Sequence, residues 1–116
     1  MGNFKKVILL DLDGVLNEYN GNFDKDHIPN VKCGVQQFLK RLVDSDYEIK
    51  IFTTRNRLLT SKWLIENKLD EYISDVTNVK DPCYLFVDDR CVCFNGDFDE
   101  LKDKIDNFKV WWKIKA

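Results

Sequence analysis

Short apolar blocks alternate along this chain with stretches in which apolar residues recur every three or four positions, the pattern of a parallel sheet whose strands are joined by crossover helices. Three blocks predict strands, over residues 6–10, 48–53 and 84–87, each mainly apolar, as a strand covered on both faces requires. Val35, Phe38, Leu39, Leu42 and Val43 keep a helical stripe that starts after Gly34 and ends at Asp44-Ser45-Asp46. A second stripe, Leu58, Leu59, Trp63, Leu64 and then Leu69, follows Arg57, and Phe98, Leu101, Ile105 and Phe108 predict a last helix over 98–108. Residues 72–76 predict a short fourth strand and 91–94 a fifth, before the Asn95-Gly96 turn. The tail Val110-Trp111-Trp112-Lys113-Ile114 alternates imperfectly and fits either a terminal strand or a loop laid over the core. Its two tryptophans read first as packing residues and only second as base-stacking ones.

One stretch breaks the alternation. Residues 17–30 are polar, hold Gly21 and Pro29, and predict a long loop or small hairpin directly after the first strand. With no repeat or linker elsewhere, residues 1–116 are expected to form one α/β domain. Composition agrees: 116 residues at 44% hydrophobic and 33% charged, with 5 Gly and 2 Pro, fit one core and exclude disordered or low-complexity classes.

Charge narrows the partners. Eighteen basic against twenty acidic side chains leave −2, so the basic footprint that grips many backbone phosphates is missing. A single phosphate, held by a metal ion and a few donors, stays within reach. The apolar run Val7 to Leu10 is followed at once by Asp11 and is too short for a membrane span or a secretory signal; a cytoplasmic chain with no membrane partner is expected. Cys33, Cys83, Cys91 and Cys93 lack paired zinc spacing and read as reduced thiols, Cys91 and Cys93 as small apolar packing on one strand face.

The chemistry concentrates where strands end. In Asp11-Leu12-Asp13-Gly14 the two carboxylates lie two residues apart in extended chain and project together from the carboxyl end of the first strand, the edge at which open α/β sheets bind ligands. Gly14 lets the chain turn tightly beside a ligand. Val87-Asp88-Asp89 ends another strand with carboxylates, and in a parallel sheet both ends share one rim. Carboxylates crowded there need a cation, and their hard oxygens suit Mg²⁺. Thr53, at the end of the second strand, and Lys80, before the third, add a hydroxyl and an ammonium suited to phosphoryl oxygens.

In order and placement, Asp11-x-Asp13-Gly14, Thr53, Lys80 and Asp88-Asp89 resemble the four motifs of the haloacid dehalogenase superfamily of phosphatases and phosphotransferases. Thr53-Thr54-Arg55 and 86–90 also resemble forms found in small polynucleotide 3′-phosphatases and deoxyribonucleotidases. The resemblance implies a Rossmann-like three-layer sandwich with a mainly parallel central sheet. It implies an Mg²⁺-dependent phosphomonoesterase in which Asp11 is the nucleophile and forms a phosphoaspartate. Asp13 acts as acid and then base, while Thr53 and Lys80 bind the phosphoryl group. The metal ligands would be Asp11, Asp13 through its carbonyl, Asp88 and Asp89. Backbone N–H groups from Leu12 onward, with Thr54 and Arg55, would contact substrate. Family members often choose substrates with an inserted cap domain; neither 17–30 nor 55–79 has room for one. The expected substrate is therefore a phosphate carried by something larger, such as a nucleotide or a polynucleotide end.

Two rivals come from other classes. A receiver-like phospho-acceptor module shares the acidic pocket, Thr and Lys, but orders them differently: here Asp88-Asp89 follows Lys80, and no strand-end Asp lies mid-chain. A catalytically silent phosphate-binding or interaction domain is the other. His27, in the polar loop, reads as a solvated residue.

Overall fold

The computed structural model describes residues 5–114. The chain runs β1 (Lys6–Asp11), α1 (Val35–Asp44), β2 (Tyr47–Phe52), α2 (Arg57–Glu66), a 3₁₀ turn (Asp70–Tyr72), β3 (Asp75–Thr77), β4 (Leu85–Val87), α3 (Phe98–Asp106) and α4 (Trp111–Ile114). The four strands are all parallel, in the order β3-β2-β1-β4, giving the expected Rossmann-like α/β sheet with its carboxyl ends on a single rim.

Pleating divides β1 between two faces. Ile8 and Leu10 join Ile49, Ile51 and Val76 in one buried cluster with Val35 and Leu39 of α1 and Trp63 and Leu64 of α2, so both crossover helices cover the same face. That follows from the order of the sheet: β1 to β2 to β3 steps in one direction, and right-handed crossovers then fall on one side. Each helix starts where its sequence requires. The Asn56 side chain caps α2 by accepting the Leu59 N–H at 3.0 Å, whereas Gly34 enters α1 in the left-handed region, at φ 91°. The other face of β1 carries Leu9, in register with Lys50 and Phe86. Phe52 and Phe86 meet edge to face across it, with ring centroids 5.6 Å apart, and Lys50 on the same face pairs with Asp81 at 3.4 Å.

Several elements differ from expectation. Residues 91–94 are not a strand; after Asp88-Asp89 the chain leaves the sheet, and Cys91 and Cys93 are exposed rather than packed. The fourth strand begins at Asp75 because Tyr72 belongs to the 3₁₀ turn. The tail is neither strand nor loop but one helical turn, α4. Residues 17–30 form a loop closed at its base, where the Glu18 N–H donates to the Asn30 carbonyl at 2.8 Å and Asn17 bridges antiparallel to Val31. No inserted domain interrupts the described residues. None of their helices is long and apolar enough to cross a membrane.

Candidate active site

β1 and β4 are neighbours in the sheet although β2 and β3 lie between them in sequence. The crossover from β1 runs to β2 on one side while β4 joins β1 on the other, the switch point outside whose strand carboxyl ends open α/β sheets form a ligand crevice. Asp11 closes β1, and Leu10 pairs with Val87, so Asp88, the next residue of the chain, comes to the same crevice. There one carboxylate oxygen from each of Asp11, Asp88 and Asp89 lies within 4.8 Å of the other two. Burial, then the charge of Asp88, then the hydrogen bond and charge of Asp89 push the Asp11 carboxyl up to about 8, against a hydrogen bond from the Leu12 backbone. Asp88 is raised too, first by burial and further by Asp89, and is opposed by the Arg90 N–H, which donates to its Oδ1 at 2.8 Å. Three anions so close cannot all ionise alone; the donors are hard oxygens, and a small dication in place of the retained proton fits them.

Asp13, two residues on, occupies different surroundings. Its Oδ2 accepts the Arg55 Nε–H at 2.8 Å, in an ion pair whose side chains are 1% exposed at Arg55 and 19% at Asp13. Its Oδ1 accepts from Asn17 Nδ2 at 3.0 Å. The Asn17 side-chain oxygen in turn accepts the Gly14 and Tyr19 N–H groups, at 3.1 and 3.2 Å, so this fully buried amide shapes the turn and aims the Asp13 carboxylate. Arg55 also donates from Nη1 to the Asp24 carbonyl at 2.8 Å and lies 4.5 Å from the Phe23 ring centroid. It thereby fastens the 17–30 loop to Asp13. Its Nη2 is buried without a partner.

The other expected residues are distributed unevenly. Thr53 is buried just past β2, its N–H bonded to the Thr77 carbonyl at 3.0 Å and its hydroxyl accepting the Arg55 N–H at 3.2 Å. Thr54 is exposed. The Leu12 side chain is buried in the core, so only its backbone serves the crevice. Lys80 places its ammonium 4.8 Å from the Phe86 ring centroid and pairs with no carboxylate among the described residues. His27 lines a separate cleft of about 410 Å³ between the loop and α2, beside Trp63 and Glu66.

Two residues of the site were not singled out from sequence. Asn17 stands four residues after Asp13, and a polar residue at the start of a polar stretch gives no sign that it will be buried. Trp112, in α4, donates its indole N–H to Asp89 Oδ2 at 2.7 Å; nothing local in the chain links positions 89 and 112.

No family model matches the chain, and no curated protein does. Among solved structures it is similar to a conserved protein from Bacteroides thetaiotaomicron, with a TM-score of 0.60 at 18% identity over 97% of this chain and 99% of that one. At that identity the likeness shows the fold.

Proposed function

We propose that the chain is an Mg²⁺-dependent phosphomonoester hydrolase acting through a phosphoaspartate on Asp11. The observation that carries this reading is the convergence of Asp11, Asp88 and Asp89 in the crevice, with Asp13 held separately on Arg55 and Asn17. Two carboxylates in different surroundings suit two different roles.

The Asp11 carboxylate attacks phosphorus as the bond to the leaving oxygen breaks, and Asp13, which must enter the step protonated instead of as the Arg55-paired carboxylate, gives that oxygen its proton. Asp13 then takes a proton from water, the water attacks the phosphoaspartate, and inorganic phosphate leaves with Asp11 restored. Backbone N–H groups from Leu12 onward and the Thr53 hydroxyl donate to the phosphoryl oxygens. Lys80 joins them by leaving the face of Phe86. Asp11, Asp88, Asp89 and the Asp13 carbonyl would hold Mg²⁺, which would supply the charge neutralisation that lets an anionic substrate approach Asp11.

With no cap to enclose a small molecule and exclude water, selectivity falls to the rim and the 17–30 loop. The substrate we favour is a phosphate on a larger carrier, a polynucleotide 3′-end first, gripped through few backbone phosphates given the charge of −2. The test is hydrolysis by the purified chain, with Mg²⁺ or with a chelator, across aryl phosphates, nucleotides, 3′-phosphorylated oligonucleotides, sugar phosphates and phosphopeptides. Metal-dependent turnover, fastest on a large substrate, is expected. No turnover on any member would leave the silent-domain reading in its place.

A further inference from the structure

α4 brings its tryptophans back to the crevice from the far end of the chain. We infer that Trp112 is a positioning residue of the candidate metal site: its indole N–H orients the Asp89 carboxylate for a divalent cation, and its ring ties the 17–30 loop to that carboxylate. This inference rests on the reading of the acidic crevice as a metal site.

The indole N–H is a donor only, and its bond to Asp89 Oδ2 is short, at 2.7 Å, as charge-assisted bonds to carboxylates are. A carboxylate offers about four lone-pair directions, so this bond uses one and leaves the rest for a cation while restricting rotation of the group. The surroundings keep the indole in place. Trp111 donates its own indole N–H to the Gly14 carbonyl at 2.8 Å, joining α4 to the turn after Asp13. Gly14 has φ +81°, and a Cβ there would overlap the Asp89 carboxylate and lie 3.0 Å from Trp112 Nε1. Turn, carboxylate and indole are thus packed without space for one methyl group.

The loop closes the arrangement from the other side. Tyr19 meets the Trp112 ring edge to face, with centroids 5.5 Å apart, and a Cβ on Gly21 would sit 3.2 Å from that ring. One side chain therefore touches a candidate metal ligand and the loop beside the candidate acid. Hydrogen-bond partners of metal ligands typically contribute about 10- to 100-fold to metal affinity.

The experiment measures Mn²⁺ binding to the full chain by electron paramagnetic resonance, comparing the wild type with Trp112→Phe, which keeps an aromatic ring and removes the donor. The expected result is binding by the wild type and affinity at least about tenfold weaker in the variant, with unchanged circular dichroism and activity recovered at high metal concentration. Equal affinities in a folded variant would overturn the role of Trp112 and leave the metal site standing; absence of Mn²⁺ binding by the wild type would overturn both. Should Trp112→Phe fail to fold, the wild type answers by itself. The assigned Trp112 indole ¹H–¹⁵N resonance should move on addition of Mg²⁺, and a resonance that stays in place as the metal binds overturns the inference.

Discussion

The sheet is built very differently on the two sides of β1. Towards β2 and β3, the buried cluster holds Ile8, Leu10, Ile49, Ile51 and Val76 under Leu39 and Leu64, and β1 pairs with β2 along six residues. Towards β4 the pairing covers three, and α3 buries none of its residues, leaving Phe98 76% and Ile105 55% exposed. Bonds of α3 run to its own flanking loop, from Asn95 to Glu100 and from Lys104 to the Cys93 carbonyl. The crevice straddles this boundary. Asp11 and Asp13 belong to the well-packed side; Asp88 and Asp89 belong to the thin side and depend on polar contacts, Arg90 and Trp112 among them.

Four experiments would break or sharpen that contrast. The largest effect is expected from Asp11→Asn, which should lower phosphatase turnover by at least about 10⁴-fold, as loss of a nucleophile does, with the fold retained and the unfolding midpoint no lower than in the wild type; a phosphoryl group trapped on any other residue, read by mass spectrometry, would reassign the nucleophile. Next comes packing. Leu10→Ala should cost about 3 kcal/mol in urea unfolding, against no more than about 0.5 kcal/mol for Ile105→Ala; similar costs would show that α3 is buried after all. Arg55→Met should cost about 2 kcal/mol, because it leaves the Asp13 carboxylate without its buried partner, and should release the 17–30 loop, visible as faster amide exchange at Asp24 and its neighbours.

The last prediction, a slope of no more than about 1.4 kcal/mol per pH unit, concerns Asp11. Its carboxyl is pushed from 3.8 up to about 8 in the fold. As pH rises between those values the unfolded chain releases this proton while the folded chain keeps it, so stability without metal should fall from about pH 4 to about pH 8. Saturating Mg²⁺ should reverse the slope, since the cation stabilises the ionised carboxylates. Urea unfolding at pH 5 and pH 8, with chelator or with Mg²⁺, decides this, and a flat metal-free profile would mean that the Asp11 proton is not held.

Much of this architecture was legible in the chain because it is written in local patterns. Val7 to Leu10 ends in Asp11, and Val87 ends in Asp88; once a parallel sheet is inferred from alternating blocks and stripes, both ends must share a rim. The failures have one cause. Cys91-Val92-Cys93-Phe94 has the composition of a strand but no place in the sheet, and the period of Phe98 to Phe108 promised a buried face that α3 does not have. Local propensity names what a segment would do if a partner surface were present; it carries no information on whether one is.

The sequence by itself determined the four strands that join the sheet, the two crossover helices and the two acidic strand ends, since each follows from side-chain period and from turn residues within a few positions. Only the tertiary structure decided how the carboxylates divide. Residues 42 positions apart make Arg55 the partner of Asp13, a buried Asn17 sets the turn between them and the loop, and residues 23 positions apart place the Trp112 indole on Asp89. Such contacts depend on the order in which strands join the sheet and on where the chain returns after leaving it. Both are set by the packing of the whole molecule, which no short stretch of sequence encodes.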